Sequence, residues 1–233
     1  MLTTLLFLEA AMADPPEIPR TEGLHELVLE VDGLERRYSV YLPRLPKKGT
    51  VPVVLALHYA GHGEPHYATR YLEQLVVPAL KPLGAILLAP DCPGSSWVDP
   101  TSEPVVLALL DHAISSWSGD PERVVITGYS MGGMGTWHLA AGHPDRFAAA
   151  VPMAGHPGDN AARITVPVYA IHSQQDQQVP PGPTTGAIVV LRGRRIPALW
   201  RPVDGLTHHD TAAYVPALAT SLPWIETMFD TTE

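Results

Sequence analysis

The chain has 233 residues, 45% of them hydrophobic and 17% charged, enough for one large core and too short for two comfortable domains. Its 15 Lys and Arg against 24 Asp and Glu leave a net charge of −9 with no basic block, which argues against nucleic acid and anionic membrane surfaces as partners. The one cysteine, Cys92, excludes an intrachain disulfide and a thiolate metal cluster and reads as a structural thiol after a strand.

In chain order, Met1 to Leu8 is apolar, and Ala11-Met12-Ala13 has the small-residue pattern of a cleavage site. No Lys or Arg precedes it and Glu9 interrupts it, so residues 1–20 read as an N-terminal arm, a remnant of an export signal being the alternative. Residues 21–233 are then one domain, with a cytoplasmic location expected. No stretch approaches the ~18 apolar residues of a membrane span, so no membrane insertion is expected. His25–Val31 and Arg36–Leu42 read as strands joined at Asp32-Gly33, a hairpin signal. Val51–His58 is a continuous apolar run, as a buried parallel strand requires. Tyr67–Leu80 reads as helix and Ala85–Ala89 as strand. Pro104–Trp117 has Leu107, Leu110, Ile114 and Trp117 at helical spacing. Val124–Thr127 is a strand and Gly132–Ala141 a helix. Phe147–Met153, Val166–His172 and Ala198–Val203 are strands, with a helix over Thr185–Leu191. Tyr214–Phe229 closes the chain as one helix, interrupted at Pro216 and Pro223. This alternation argues an α/β fold with a mostly parallel, doubly wound sheet.

One pentapeptide stands out: Gly128-Tyr129-Ser130-Met131-Gly132, a G-x-S-x-G pattern between a strand and a helix. Strand, sharp turn and helix expose the serine hydroxyl at the top of a sheet. A serine is a poor nucleophile at neutral pH and needs a base, which an acid orients and stabilises. The order that goes with this elbow is serine, acid, histidine. Asp176 is the one carboxylate in the loop after the Val166–His172 strand, ahead of Asp159 and Asp204 in less well-placed turns. The loop after the last strand supplies two adjacent histidines, His208 and His209. A negative tetrahedral oxygen needs two backbone N–H donors. Met131, following the serine, is one candidate; Ala60, with Tyr59 as alternative, is the other. Tyr59 and Trp97 are candidate aromatic walls for a substrate, with a place in the core as the alternative for either, and His209 is a candidate rim residue. His58-x-x-x-His62 and His62-x-x-x-His66 have a zinc spacing but lie in a Gly/Pro loop instead of on a helix, which argues against a metal.

Gly128-Tyr129-Ser130-Met131-Gly132-Gly133-Met134-Gly135-Thr136-Trp137 resembles the signature of a subgroup of α/β-hydrolases, the compact carboxylesterases and predicted peptidases related to dienelactone hydrolase, prolyl oligopeptidase and polyhydroxybutyrate depolymerase. Ala140 to Phe147 is similar to their helix-to-strand junction. Ile171-His172-Ser173, with Asp176 and Val179-Pro180, is similar to their acid loop, and Gly205-Leu206-Thr207-His208 to their G-x-x-H, which selects His208 over His209 as base. Three residues depart from the pattern: Tyr59 and Ser173 stand where glycine is usual, and His209 duplicates the histidine. The resemblance implies the α/β-hydrolase fold with about eight strands and a serine ester hydrolase without a cofactor. About a dozen residues between the strands at Phe147–Met153 and Val166–His172 leave no room for a substantial lid. The expected activity is hydrolysis of small-molecule, short-chain acyl esters. A feruloyl or acetylxylan esterase, an oligopeptidase and a non-catalytic binding module are the alternatives.

Overall fold

The computed structural model describes residues 18–61 and 64–230. The expected arm therefore lies outside the described residues up to residue 17, as does His62. Eight strands form one sheet in the order β1-β2-β4-β3-β5-β6-β7-β8. β1 (Gly23–Val31) and β2 (Leu34–Leu42) form an antiparallel hairpin. Asp32 and Gly33 turn it with φ of 53° and 74°, the two positive values that a type I′ turn needs. β2 runs antiparallel to β4 (Ile86–Pro90); from there β3 (Val51–Leu57), β5 (Gly119–Tyr129), β6 (Ala149–Met153), β7 (Val168–Ser173) and β8 (Ala198–Val203) are all parallel.

The period of two along the strands divides the core. Val53, Leu55, Ile86, Leu88, Val124, Ile126, Val168 and Ala170 face one layer, with α3 (Ser102–Trp117), α4 (Met131–Gly142) and α5 (Gly182–Gly193). Val54, Ala56, Leu87, Val125, Tyr169 and Ile171 face the other. There α1 (Tyr67–Tyr71) runs through a π-helical turn, Leu72–Val76, into α2 (Val77–Leu80), beside α6 (Val215–Ala219) and α7 (Leu222–Asp230). Pro78 explains the widened turn: it has no N–H for the Gln74 carbonyl and its ring would press against it. Strands covered on both faces are apolar at every position, as the seven buried residues of β3 show.

The closing segment is interrupted at the two prolines, as expected, and forms two separate helices. Pro216 and Pro223 each sit in the first turn of a helix, where a missing N–H is harmless, so the chain stops and restarts between α6 and α7. Among the described residues no helix is long and apolar enough to cross a membrane. The Trp117 indole N–H donates to the Pro19 carbonyl at 2.7 Å, fastening the start of the described chain to α3.

Candidate active site

Ser130 makes the turn from β5 to α4 alone, since Tyr129 ends the strand and Met131 opens the helix. Its φ of 57° and ψ of −114° are costly for a residue with a Cβ and persist because the surroundings impose them. The Ser130 N–H donates to the Met153 carbonyl at 2.9 Å, and the Ser130 carbonyl accepts from Met134 N–H at 3.0 Å. A Cβ on Gly128 would overlap the Gly132 carbonyl, one on Gly132 the Leu57 carbonyl, and one on Gly133 the Met153 carbonyl. The glycines of the motif are thus required by close approach of backbone to backbone.

His208 Nε2 lies 2.7 Å from Ser130 Oγ, and His208 Nδ1 lies 2.7 Å from Asp176 Oδ2. A carboxylate only accepts, so Nδ1 carries the ring proton and Nε2 offers its lone pair to the serine hydroxyl. The other carboxylate oxygen accepts from Gln178 N–H at 3.0 Å and Val179 N–H at 2.8 Å. Burial works to raise the Asp176 carboxyl, but the hydrogen bond from His208 and those from the backbone of Val179 and Gln178 outweigh it and hold the group below the ordinary aspartate range. Tyr129 donates from its hydroxyl to the His208 carbonyl at 2.9 Å. The two loops are also sewn together. Ser173 Oγ donates to the Leu206 carbonyl at 2.6 Å, Gly205 N–H donates to Gln175 Oε1 at 2.8 Å, and Gln174 Nε2 donates to Asp204 Oδ1 at 2.8 Å. Asp204 therefore braces the loop, while Asp159 lies in the 3-10 turn at Gly158–Ala162.

The loop after β3 is built around His58. Cys92 N–H donates to His58 Nε2 at 3.1 Å, so Nδ1 carries the proton and donates to the Tyr59 carbonyl at 2.6 Å. The peptide is trans, so with the Tyr59 carbonyl turned to the imidazole the Ala60 N–H faces away from it. Ala60 and Tyr59 line the cleft that holds Ser130. Trp97 is not a wall of that cleft. It is 1% exposed, its indole N–H donates to the His58 carbonyl at 2.8 Å, and its ring meets that of His58 edge-on. It supports the loop from behind. Burial raises the Cys92 thiol, which fits a structural role.

A solved thermostable esterase superposes with a TM-score of 0.75 over 88% of this chain and 62% of its own, at 22% identity. The chain has the α/β-hydrolase fold. Residues 95–198 match the model of the dienelactone hydrolase family. A protein from Salmonella typhi that carries the name carboxymethylenebutenolidase is 38% identical over 91 residues, 32% of this chain and 33% of the relative. Acetylxylan esterase A of Emericella nidulans is 29% identical over 134 residues, 52% of this chain and 42% of the relative. The matches thus span about a third to two fifths of these relatives' lengths.

The cleft, about 660 Å³, runs between Tyr59, Ala60, Arg70 and Gln74 on one side and Gln178 and the 208–213 loop on the other. Exposed His209 lines it, its ring 6.0 Å from that of His208. Sequence reasoning missed Arg70 and Gln74, whose signal was faint: two polar positions four apart on a helix following the His58 loop. It also missed the bracing roles of Ser173, Gln175 and His172. His66 bonds to the Tyr38 carbonyl, away from His58, and among the described residues no group of three or more His, Cys, Asp or Glu is arranged to hold a metal ion.

Proposed function

We propose that the protein is a serine carboxylesterase that hydrolyses short-chain acyl esters. The observation that carries this reading is the chain of hydrogen bonds from Ser130 Oγ through His208 to Asp176, 2.7 Å at each step. In this reading Ser130 attacks the ester carbonyl while His208 Nε2 takes its proton, and Asp176 stabilises the imidazolium that forms. The N–H groups of Met131 and Ala60 hold the developing oxyanion, each contributing about 3 kcal/mol. His208 then protonates the leaving alcohol, and the acyl-serine is released by a water that the same histidine activates. A cleft of about 660 Å³ favours a small ester. The 154–167 connection carries just a 3-10 turn, which leaves an acyl group accessible from solvent.

A second reading, an esterase of acetylated or feruloylated plant polysaccharide, is favoured by the stretch similar to acetylxylan esterase A and by the polar lip of Arg70, Gln74 and Gln178. The test is hydrolysis of p-nitrophenyl esters from acetate to palmitate by wild type and Ser130→Ala. Activity that peaks at short chains and vanishes in the variant is the expected result. Labelling of Ser130 by a fluorophosphonate without turnover of any simple ester would favour the polysaccharide or a peptide. Neither labelling nor turnover would favour a non-catalytic binding module.

A further inference from the structure

Directly beneath Asp176 lies a second histidine, fully buried His172 at the end of β7. Its Nε2 stands 2.8 Å from the Val179 carbonyl and 3.3 Å from Asp176 Oδ2, the same oxygen that His208 contacts. Both neighbours only accept, so Nε2 carries a proton. Its Nδ1 is 3.2 Å from Thr184 Oγ1. The Thr184 hydroxyl has one hydrogen and two acceptors in reach, His172 Nδ1 and the Gly155 carbonyl at 3.2 Å. The Gly155 carbonyl also accepts the Trp137 indole N–H at 3.1 Å and so keeps a donor when the Thr184 hydrogen turns to Nδ1. Every polar atom is then satisfied with a neutral ring, and burial pushes the His172 pKa down, in the same direction. The titratable groups facing it are Asp176 and His208; β8 contributes the Trp200 ring, α5 the Thr184 hydroxyl and the chain after β6 the Gly155 carbonyl.

We infer that His172 is a positioning residue for the acid: an Nε2–H donor that clamps the 176–179 turn and partly stabilises the Asp176 carboxylate. Val179 is gripped twice, its N–H by Asp176 Oδ1 and its carbonyl by His172, so the carboxylate keeps Oδ2 aimed at His208. This rests on the esterase reading for its kinetic consequence, and on the hydrogen-bond pattern alone for its chemical one. Without the donor, Asp176 draws the His208 proton more strongly.

Two measurements test this. In wild-type protein with ¹⁵N-labelled histidine, the inference expects His172 as the neutral Nε2–H tautomer from pH 5 to 8; an imidazolium or an Nδ1–H tautomer overturns it, whether or not an ester is ever turned over. Kinetically, His172→Met removes the donor at similar volume, and His172→Gln returns a neutral N–H donor near the Nε2 position. The expectation for His172→Met is a fall in kcat of about tenfold at little-changed KM, with the acid limb of kcat/KM moved to higher pH by several tenths of a unit. His172→Gln should recover most of the rate and bring the limb back. Equal losses in both variants with an unmoved limb would make His172 a packing residue and overturn the inference. Should His172→Met fail to fold, the tautomer and the His172→Gln limb still decide.

Discussion

The hydroxyl of Ser173, at the end of β7, donates to the carbonyl of Leu206, 33 residues on, at 2.6 Å. The bond joins the loop carrying Asp176 to the loop carrying His208. The Ser173 hydroxyl acts as a rivet between them. Ser173→Ala leaves the half-buried Leu206 end of that rivet without its donor, a loss of about 1–3 kcal/mol. For a chain of this size we expect a fall in Tm of roughly 3–10 °C, read by calorimetry, with a smaller loss of kcat. An unchanged Tm would show that water replaces the hydroxyl at no cost.

Of the two adjacent histidines, His208 alone is bonded to both Ser130 and Asp176, while His209 stands at the rim of the cleft. Ser130→Ala and His208→Ala should each lower kcat by about 10⁴-fold or more, and His209→Ala far less, with any effect falling on KM. Steady-state kinetics on p-nitrophenyl acetate checks this; a comparable loss in His209→Ala would reopen the assignment of the base.

Acid stability follows from two groups whose pKa values are depressed in the folded protein. His172 resists protonation in the core while the unfolded chain accepts a proton below about pH 6.5, so stability begins to fall there. Asp176 stays ionised in the fold, so its contribution is full above its unfolded value near pH 4 and is lost as pH drops further, through its folded value. Chemical denaturation should give a midpoint that declines from pH 6.5 downward and more steeply below about 4. In Asp176→Asn the steeper part should shrink; an identical decline would mean that other carboxylates govern it.

Trp97 supports the loop after β3, the one proposed to hold the oxyanion, through its indole N–H on the His58 carbonyl. Trp97→Phe keeps the ring and loses that bond. We expect a kcat several-fold to tenfold lower at nearly constant KM, the same for aliphatic and aromatic esters, because the residue touches the loop and no substrate. A KM change confined to aromatic esters would instead put it on the cleft.

Much of this was legible from local sequence. Ser130 announced itself because the elbow needs glycines where Gly128, Gly132 and Gly133 approach other backbone, and the alternating apolar runs marked every strand. The relay was legible as a set of candidates, since the loops after β7 and β8 offer few titratable side chains. The sequence leaves Trp97 open between cleft wall and core because a residue in a Pro- and Ser-rich loop gives no local sign of burial; its partner, His58, is 39 residues away. Ser173 and His172 were passed over for the same reason: a hydroxyl or a neutral imidazole that braces a loop has no spacing rule to reveal it. The break between α6 and α7 followed from proline position within a turn, a matter of one or two residues.

The parallel strands all run the same way, and Ser130, Asp176 and His208 follow the ends of β5, β7 and β8. The chain has three lysines, and all lie at the opposite end: Lys47 and Lys48 in the exposed turn before β3, and Lys81 in the turn before β4. Coupling to a solid support through lysine side chains would therefore tether the molecule by its base, with the cleft turned to the solution.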